Sequence, residues 1–239
     1  MTQCQPIYKR IILKITGEAF SGGERTIKRH AVEKISDEIE ALHKLGVQMG
    51  IVIGAGNIIR GRDFQDLNDD GTIDYAGMMA TVPNILVLQK ILEKRNIVVR
   101  TQTAIRMEEV AEPYILRKAI SHLEKGRIVI FGCGTGNSKS TTDSAAMLRA
   151  YELNADALLK GTKVDGLYTD DPKKKSAKFI PEITYQKALE SNFKDIMDNA
   201  ALGLALDNSR KIPIHIFNIF KKGNLLKVLQ GKKIGSKIY

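Results

Sequence analysis

Hydrophobic positions along the chain fall into two alternating kinds of run. Short β-branched stretches at residues 11–15, 47–53, 97–99, 128–131, 157–159 and 212–217 predict strands. Between them apolar residues recur at helical spacing. Val32, Ile35, Ile39, Leu42 and Leu45 make a single stripe that stops before Gly46. Further helices are predicted at residues 74–94, with a kink at Pro83, and at 112–125, 142–153, 184–190, 198–209 and 224–230. This β-α-β-α order implies an α/β protein with a mainly parallel sheet, helices on both faces and ligand groups at the carboxyl ends of the strands. No repeat, low-complexity stretch or linker divides residues 1–239, so one domain is expected.

Composition narrows the partners more than the fold. With 43% hydrophobic and 27% charged residues, the chain can bury a sizeable core and has no bias toward disorder. Its apolar stretches are far shorter than the roughly 20 residues that span a bilayer, and residues 1–10 lack a signal-peptide apolar region. A cytoplasmic protein without a membrane partner is expected. Cys4 and Cys133 fit no metal-ligand or C-x-x-C spacing and are expected to be free thiols. The net charge of +10 suggests an anionic partner, whether nucleic acid, membrane surface or phosphorylated metabolite, without choosing among them. The densest basic cluster, Lys173, Lys174, Lys175 and Lys178, reads as a solvated loop.

Three glycine-bearing loops follow predicted strands: residues 14–18 (KITGE), 54–61 (GAGNIIRG) and 132–143 (GCGTGNSKSTTD). Glycine lets backbone N–H groups approach an anion, and a following helix N-terminus adds favourable partial charge. Three such loops on one sheet edge suit a polyphosphate with two ends. Familiar alternatives fail on spacing. Gly54-Ala55-Gly56 opens like a dinucleotide fingerprint, but Ile59 stands where its third glycine belongs. Lys139 lacks the preceding glycine of a P-loop, and no H-R-D or D-F-G signature exists. Cys133, between two glycines, has no nearby histidine to activate it.

Lys14 falls at a strand end just before Gly17, where an ammonium can meet a phosphoryl group in flight; its bland reading is a solvated strand-end lysine. The combination with Gly17, Arg60, Asp143 and a hydroxyl-rich loop favours the former. Phosphoryl transfer demands positioned positive charge and N–H donors more than covalent chemistry from the protein. Asp143, after Ser140, Thr141 and Thr142, also complements a helix N-terminus. Residues 159–172 (LKGTKVDGLYTDDP) carry an Asp-Gly hairpin signal, with Tyr168 and Asp171 suited to a nucleoside.

Residues 8–19 (YKRIILKITGEA), 52–61 (VIGAGNIIRG), 74–81 (DYAGMMAT), 135–145 (TGNSKSTTDSA), 159–172 and 212–218 (IPIHIFN) together resemble the amino-acid kinase family, in its UMP-phosphorylating branch, over almost the whole chain. The resemblance implies a three-layer α/β/α sandwich and transfer of the ATP γ-phosphoryl group to UMP, with nucleic acid not required. It implies that Lys14, Ile15, Thr16 and Gly17 approach the ATP phosphates, with Gly56 and Arg60 near them and Thr162, Tyr168 and Asp171 beside the adenine nucleoside. Asp74 is implied to bind the UMP ribose, with Ala55, Thr135, Gly136, Asn137, Ser138, Lys139, Ser140, Thr141 and Thr142 around UMP. Asp143, with Lys160 and Asp198, is implied to organise Lys14 and the transfer geometry. Ala55 departs from the glycine usual at its place, and Lys139 from an aromatic or apolar residue. The nearest alternative acceptors are the carboxylates, carbamate or small alcohols used elsewhere in the family.

The same resemblance implies a homohexamer, Mg²⁺ arriving with ATP, feedback inhibition by UTP and, in many members, activation by GTP; no protein metal ligand is assigned. Arg100, placed after the predicted strand at 97–99, and Arg127 match effector-binding arginines. Gln89, Glu93 and Leu116 stand where an arginine, a histidine and a tryptophan occur in GTP-activated members. Lost cation and stacking surface predict weak or altered activation by GTP.

Overall fold

Strict alternation along the central strands sends odd and even positions into two different cores. The computed structural model describes residues 5–22, 24, 26–64, 67, 70–191 and 197–239; Cys4 lies outside them. In chain order the elements are β1 (Arg10–Ile15), α1 (Arg29–Lys44), β2 (Gln48–Ile53), α2 (Thr72–Met79), α3 (Thr81–Glu93), β3 (Val99–Thr103), β4 (Glu112–Pro113), α4 (Leu116–Glu124), β5 (Ile128–Gly132), α5 (Thr142–Glu152), β6 (Ala157–Thr162), β7 (Leu167–Tyr168), β8 (Phe179–Ile180), β9 (Glu182–Ile183), α6 (Tyr185–Glu190), α7 (Asn199–Asp207), β10 (Ile214–Asn218), α8 (Asn224–Leu229) and β11 (Ser236–Ile238).

The main sheet runs β4-β3-β5-β2-β1-β6-β10-β11-β9, and only the β10–β11 pairing is antiparallel. Ile11, Leu13 and Ile15 of β1 point into one core with Ile39 of α1, Leu88 of α3 and Leu225 of α8. Ile12 points the other way, among Met147 of α5, Ala188 of α6 and Leu202 of α7. Covering both faces of a parallel sheet makes the strands almost uniformly apolar. The fold is the expected three-layer α/β/α sandwich. No helix among the described residues is long and apolar enough to cross a membrane.

Several local expectations are corrected. The helix foreseen at 74–94 is two helices that meet at Ala80. Pro83 sits in the first turn of α3, where its missing N–H is tolerated, and the helical run breaks three residues before it. The third strand is Val99–Thr103, so Arg100 is its second residue and does not follow it. Thr101, Gln102 and Thr103 are buried there, and polar side chains conceal a strand from an apolar-run reading. The segment 112–125 becomes helical only at Leu116, because Glu112 and Pro113 form an edge strand, where proline is acceptable. Asp165 and Gly166 do not fold β7 back on β6; β7 pairs instead with β8.

The chain enters β11, which with β9 runs antiparallel to the other strands of the main sheet, through Gly235, whose φ is +72°. A Cβ there would lie 2.0 Å from the Ile216 carbonyl oxygen of β10. Gly235→Ala is therefore expected to lower unfolding free energy by at least about 1–3 kcal/mol, from backbone strain alone. Urea denaturation checks this, and an unchanged midpoint contradicts so close an approach.

Candidate active site

Parallel pairing sets Lys14 of β1 directly beside Lys160 of β6. Both side chains leave the sheet on the α5 face, since their neighbours Ile12 and Leu158 pack there. Two adjacent ammoniums repel, and a carboxylate from α5 lies between them. Lys160 Nζ donates to Asp143 Oδ2 at 2.5 Å. Lys14 Nζ forms an ion pair with Oδ1 at 2.9 Å. Their side chains are only 13%, 12% and 7% exposed for Lys14, Asp143 and Lys160.

Burial opposes ionisation of Asp143, but the Lys14 and Lys160 charges prevail and hold its carboxyl well below the usual range. Burial likewise pulls the Lys160 ammonium down, to about 8, against the attraction of Asp143. The arrangement can present a positive, nearly dry surface to a phosphoryl group.

Helix capping fixes where Asp143 sits. Thr141 is the N-cap of α5 and its hydroxyl accepts from the Asp143 and Ser144 N–H groups. That hydroxyl donates in turn to Asp198 Oδ2 at 2.6 Å, and Ser144 Oγ donates to the same oxygen. Asp198 also caps α7 by accepting from Ala200 N. Its carboxylate thus ties the N-termini of α5 and α7 together, with no direct contact to Lys14. Ser144 escaped the sequence reading because a serine in a helix's first turn is unremarkable until its partner on α7 is known.

The first two glycine loops pack backbone against backbone. A Cβ at Gly17 would lie 2.5 Å from both Asn57 Oδ1 and the Gly54 carbonyl, so only glycine fits. Thr16 N donates to the Gly161 carbonyl, joining the loop after β1 to the end of β6. The Ile15 side chain is core, which leaves only its backbone for a ligand. Arg60 Nε donates to the Gly56 carbonyl, and its Nη2 donates to Glu18 Oε1 at 2.6 Å. Glu18 also pairs with Lys163 at 3.3 Å. Sequence reading did not select Glu18, because nothing local indicates that one carboxylate bridges cations from two other loops.

A cavity of about 290 Å³ opens beside these loops, lined by Ala55, Gly56, Asp74, Ser140, Thr141 and Thr142 among others. Asp74, in the first turn of α2, accepts from Lys139 N at 2.7 Å and so holds the third loop against the helix. Lys139 Nζ is 3.9 Å from the same carboxylate. Cys133 and Lys139 adopt φ of 60° and 59°, left-handed values that curl the loop tightly. Burial pushes the Cys133 thiol up, consistent with packing and not reactivity. Thr81 Oγ1 accepts from Cys133 N, another contact absent from the sequence reading. Ser138 lies against Gly71. Thr135 and Asn137 bond to each other, and Gly136 abuts Ala104; none of the three lines the cavity.

Thr162 ends β6 on the far side of β1 from this cavity. The ring of Tyr168 packs edge-on against Phe179, centroids 5.4 Å apart, in the small second sheet. Asp171 is exposed and accepts from Lys173 N. Neither residue contacts the lysine–aspartate cluster. Arg100 and Arg127 lie at the opposite, amino-terminal edge of the sheet. Arg127 Nη1 is 3.1 Å from His122 Nδ1, while Arg100 donates to the Val99 carbonyl and stands 3.9 Å from Glu112. Among the described residues no group of three or more His, Cys, Asp or Glu could hold a metal by itself.

A family model described as the amino acid kinase family matches residues 9–218. A crystal structure of a UMP kinase from Bacillus anthracis superposes with a TM-score of 0.91 at 38% identity, covering 97% of this chain and 96% of that one. A UMP kinase from Ureaplasma parvum gives 0.88 at 34% identity, over 96% and 98%. A uridylate kinase from Archaeoglobus fulgidus, at 23% identity and TM-score 0.72 over 96% and 99%, shares the fold.

Asp143 titrates below its unfolded-state value of about 4, so its stabilisation is full above that pH and is lost as pH falls toward the folded value. Asp143→Asn strands two buried ammoniums, and removing one partner of a buried pair costs about 3–5 kcal/mol. Urea titrations should show a less stable variant at pH 7 and a smaller gap to wild type at pH 3. Equal stability at pH 7 contradicts a buried ion triad.

Proposed function

The chain belongs to the amino acid kinase family, and on that footing we propose that it transfers the γ-phosphoryl group of ATP to UMP, giving UDP. One observation carries the reading: the Lys14–Asp143–Lys160 cluster lies near the carboxyl ends of β1 and β6, and Thr142, the residue before Asp143, lines the cavity that also holds Asp74. Near-complete mutual coverage with two UMP kinases supports the same acceptor.

A UMP phosphate oxygen attacks the γ-phosphorus as the bond to the ADP oxygen breaks, and ADP leaves with that electron pair. Lys14, held by its ion pair with Asp143, faces the charge that spreads over the transferred group. Gly17, Ala55 and Gly56 offer backbone N–H groups, and Arg60 supplies a further cation. Asp143 holds Lys14 and Lys160 in place, while Asp198 fixes the helix that carries Asp143. Asp74 accepts from the UMP ribose hydroxyls, with Ser140, Thr141 and Thr142 of the third loop around the nucleotide. Thr162, Tyr168 and Asp171 flank the adenosine.

Asp143 and Asp198 are already engaged by ammonium, hydroxyl and N–H groups. That donor set fits Mg²⁺ held chiefly by the ATP phosphates and water, where it supplies charge neutralisation of the phosphoryl oxygens.

The family resemblance extends this proposal to a cytoplasmic homohexamer inhibited by UTP, and the departures at Gln89, Glu93 and Leu116 extend it to weak or altered activation by GTP. Arg100 and Arg127 are already occupied by Glu112, His122 and a backbone carbonyl. Glu93, which accepts from Gln89, adds repulsion toward a triphosphate. Rates at subsaturating ATP and UMP with GTP titrated to millimolar levels should change little. Saturable activation at micromolar GTP overturns the effector reading.

The decisive measurement is ADP release with ATP and Mg²⁺ against UMP, CMP, dUMP, glutamate, acetylglutamate and carbamate. UMP should be preferred, and preference for a carboxylate or carbamate overturns the proposal. In the same assay Lys14→Ala should lose about 10²-fold or more in kcat. Asp74→Asn should instead raise the KM for UMP, because a charged hydrogen bond is worth about 1.5–3 kcal/mol. An unchanged UMP KM removes Asp74 from the ribose.

A further inference from the structure

We infer that Asn84, a side chain of α3 with no exposure to solvent, is the positioning residue that sets the backbone of both leading glycine loops, acting through Asn57. The inference rests on the phosphotransfer reading above for its kinetic consequence, but its geometry stands independently. Asn57 and Asn84 form a reciprocal amide pair, each Nδ2 donating to the other's Oδ1 at 2.9 Å. The second N–H of Asn84 goes to the Gly54 carbonyl at 3.0 Å, and that of Asn57 to the Thr26 carbonyl at 3.2 Å. All four amide hydrogens are therefore used.

An asparagine on the buried face of a helix is costly unless satisfied in this way, since a buried amide left without partners loses its hydration for nothing. Ile85 and Leu88 beside Asn84 are ordinary core residues. An apolar residue at 84 would fill the same space, yet it would leave the Asn57 amide and the Gly54 carbonyl without these partners.

What the pair holds is the ligand-facing backbone. Asn57 Oδ1 and the Gly54 carbonyl are the two atoms a Cβ on Gly17 would strike at 2.5 Å, and Gly56 N is next at 2.8 Å. The pair thus spaces the loop after β1 against the loop after β2. Arg60, bonded to the Gly56 carbonyl, inherits the same reference frame. Donors aimed at a transferring phosphoryl group lose their effect when displaced by about 1 Å, a misplacement that can cost 10²-fold in rate. Asn84 touches no reacting atom.

The test is a double-mutant cycle with Asn57→Ala, Asn84→Ala and the double variant, read by steady-state kinetics with UMP, by hydrogen exchange at residues 54–57 and by thermal midpoint. Each single variant should lose about tenfold to a hundredfold in kcat, with both KM values within about threefold of wild type. The double variant should lose little more than either single one, and the loop amides should exchange faster in all three. Losses that multiply, or an Asn57→Ala enzyme with wild-type kcat and wild-type loop exchange, overturn the inference. If Asn84→Ala does not fold, Asn57→Ala, altered on the loop side, decides by the same two readouts. Wild-type protein inactive toward UMP would instead refute the acceptor reading, and loop exchange would still decide the role of Asn84.

Discussion

Two lysines on neighbouring parallel strands repel each other, and withdrawing both from water at the centre of a sheet is tolerable only because Asp143 stands between them. That constraint reaches outward. Asp143 must arrive from the helix packed on the same face, which requires α5 to begin at the sheet's carboxyl edge, close to the ends of β1 and β6. Its N-cap, Thr141, must be held as well, and Asp198 does so while starting α7. The helices over one face are therefore anchored to the chemistry as well as to the core. An apolar triad of similar volume could stabilise the fold as well or better, since burying charge is expensive. The charged one is explained by the reaction it serves.

Strand order does the remaining spatial work. Because β1 is flanked by β2 and β6, its glycine loop touches the loop after β2 on one side and the end of β6 on the other. The cavity with Asp74 falls on the β2 and β5 side, and Thr162 on the β6 side. A two-substrate transfer needs such an axis. Glu18 crosses between loops by charge, while Asn57 packs against Gly17 and bonds the loop after β2 to Asn84 of α3 and to the Thr26 carbonyl.

Much of this was legible from residue order. Period-two strands and period-3.6 helices identified the layers, since burying both sheet faces forces long apolar runs. Glycines after strands, with Lys14 and Asp143 among them, marked the loops where anions bind, because close backbone approach excludes a side chain. Local rules faltered where burial and polarity part company: Arg100 through Thr103 hide a strand, and Glu112 and Pro113 read as helix but pair at a sheet edge.

The sequence by itself determined the class of fold, the edge on which ligands gather and the residue types able to handle phosphate, all of which follow from local periodicity and side-chain chemistry. Only the tertiary structure decided that Lys14 and Lys160 share one carboxylate, that Asp198 acts through Thr141 and Ser144, and that Asn84 reaches Gly54 from another helix. These contacts join residues tens or more than a hundred positions apart. Their energy depends on registers and helix placements that no local pattern encodes, so they exist only once the whole sheet has formed.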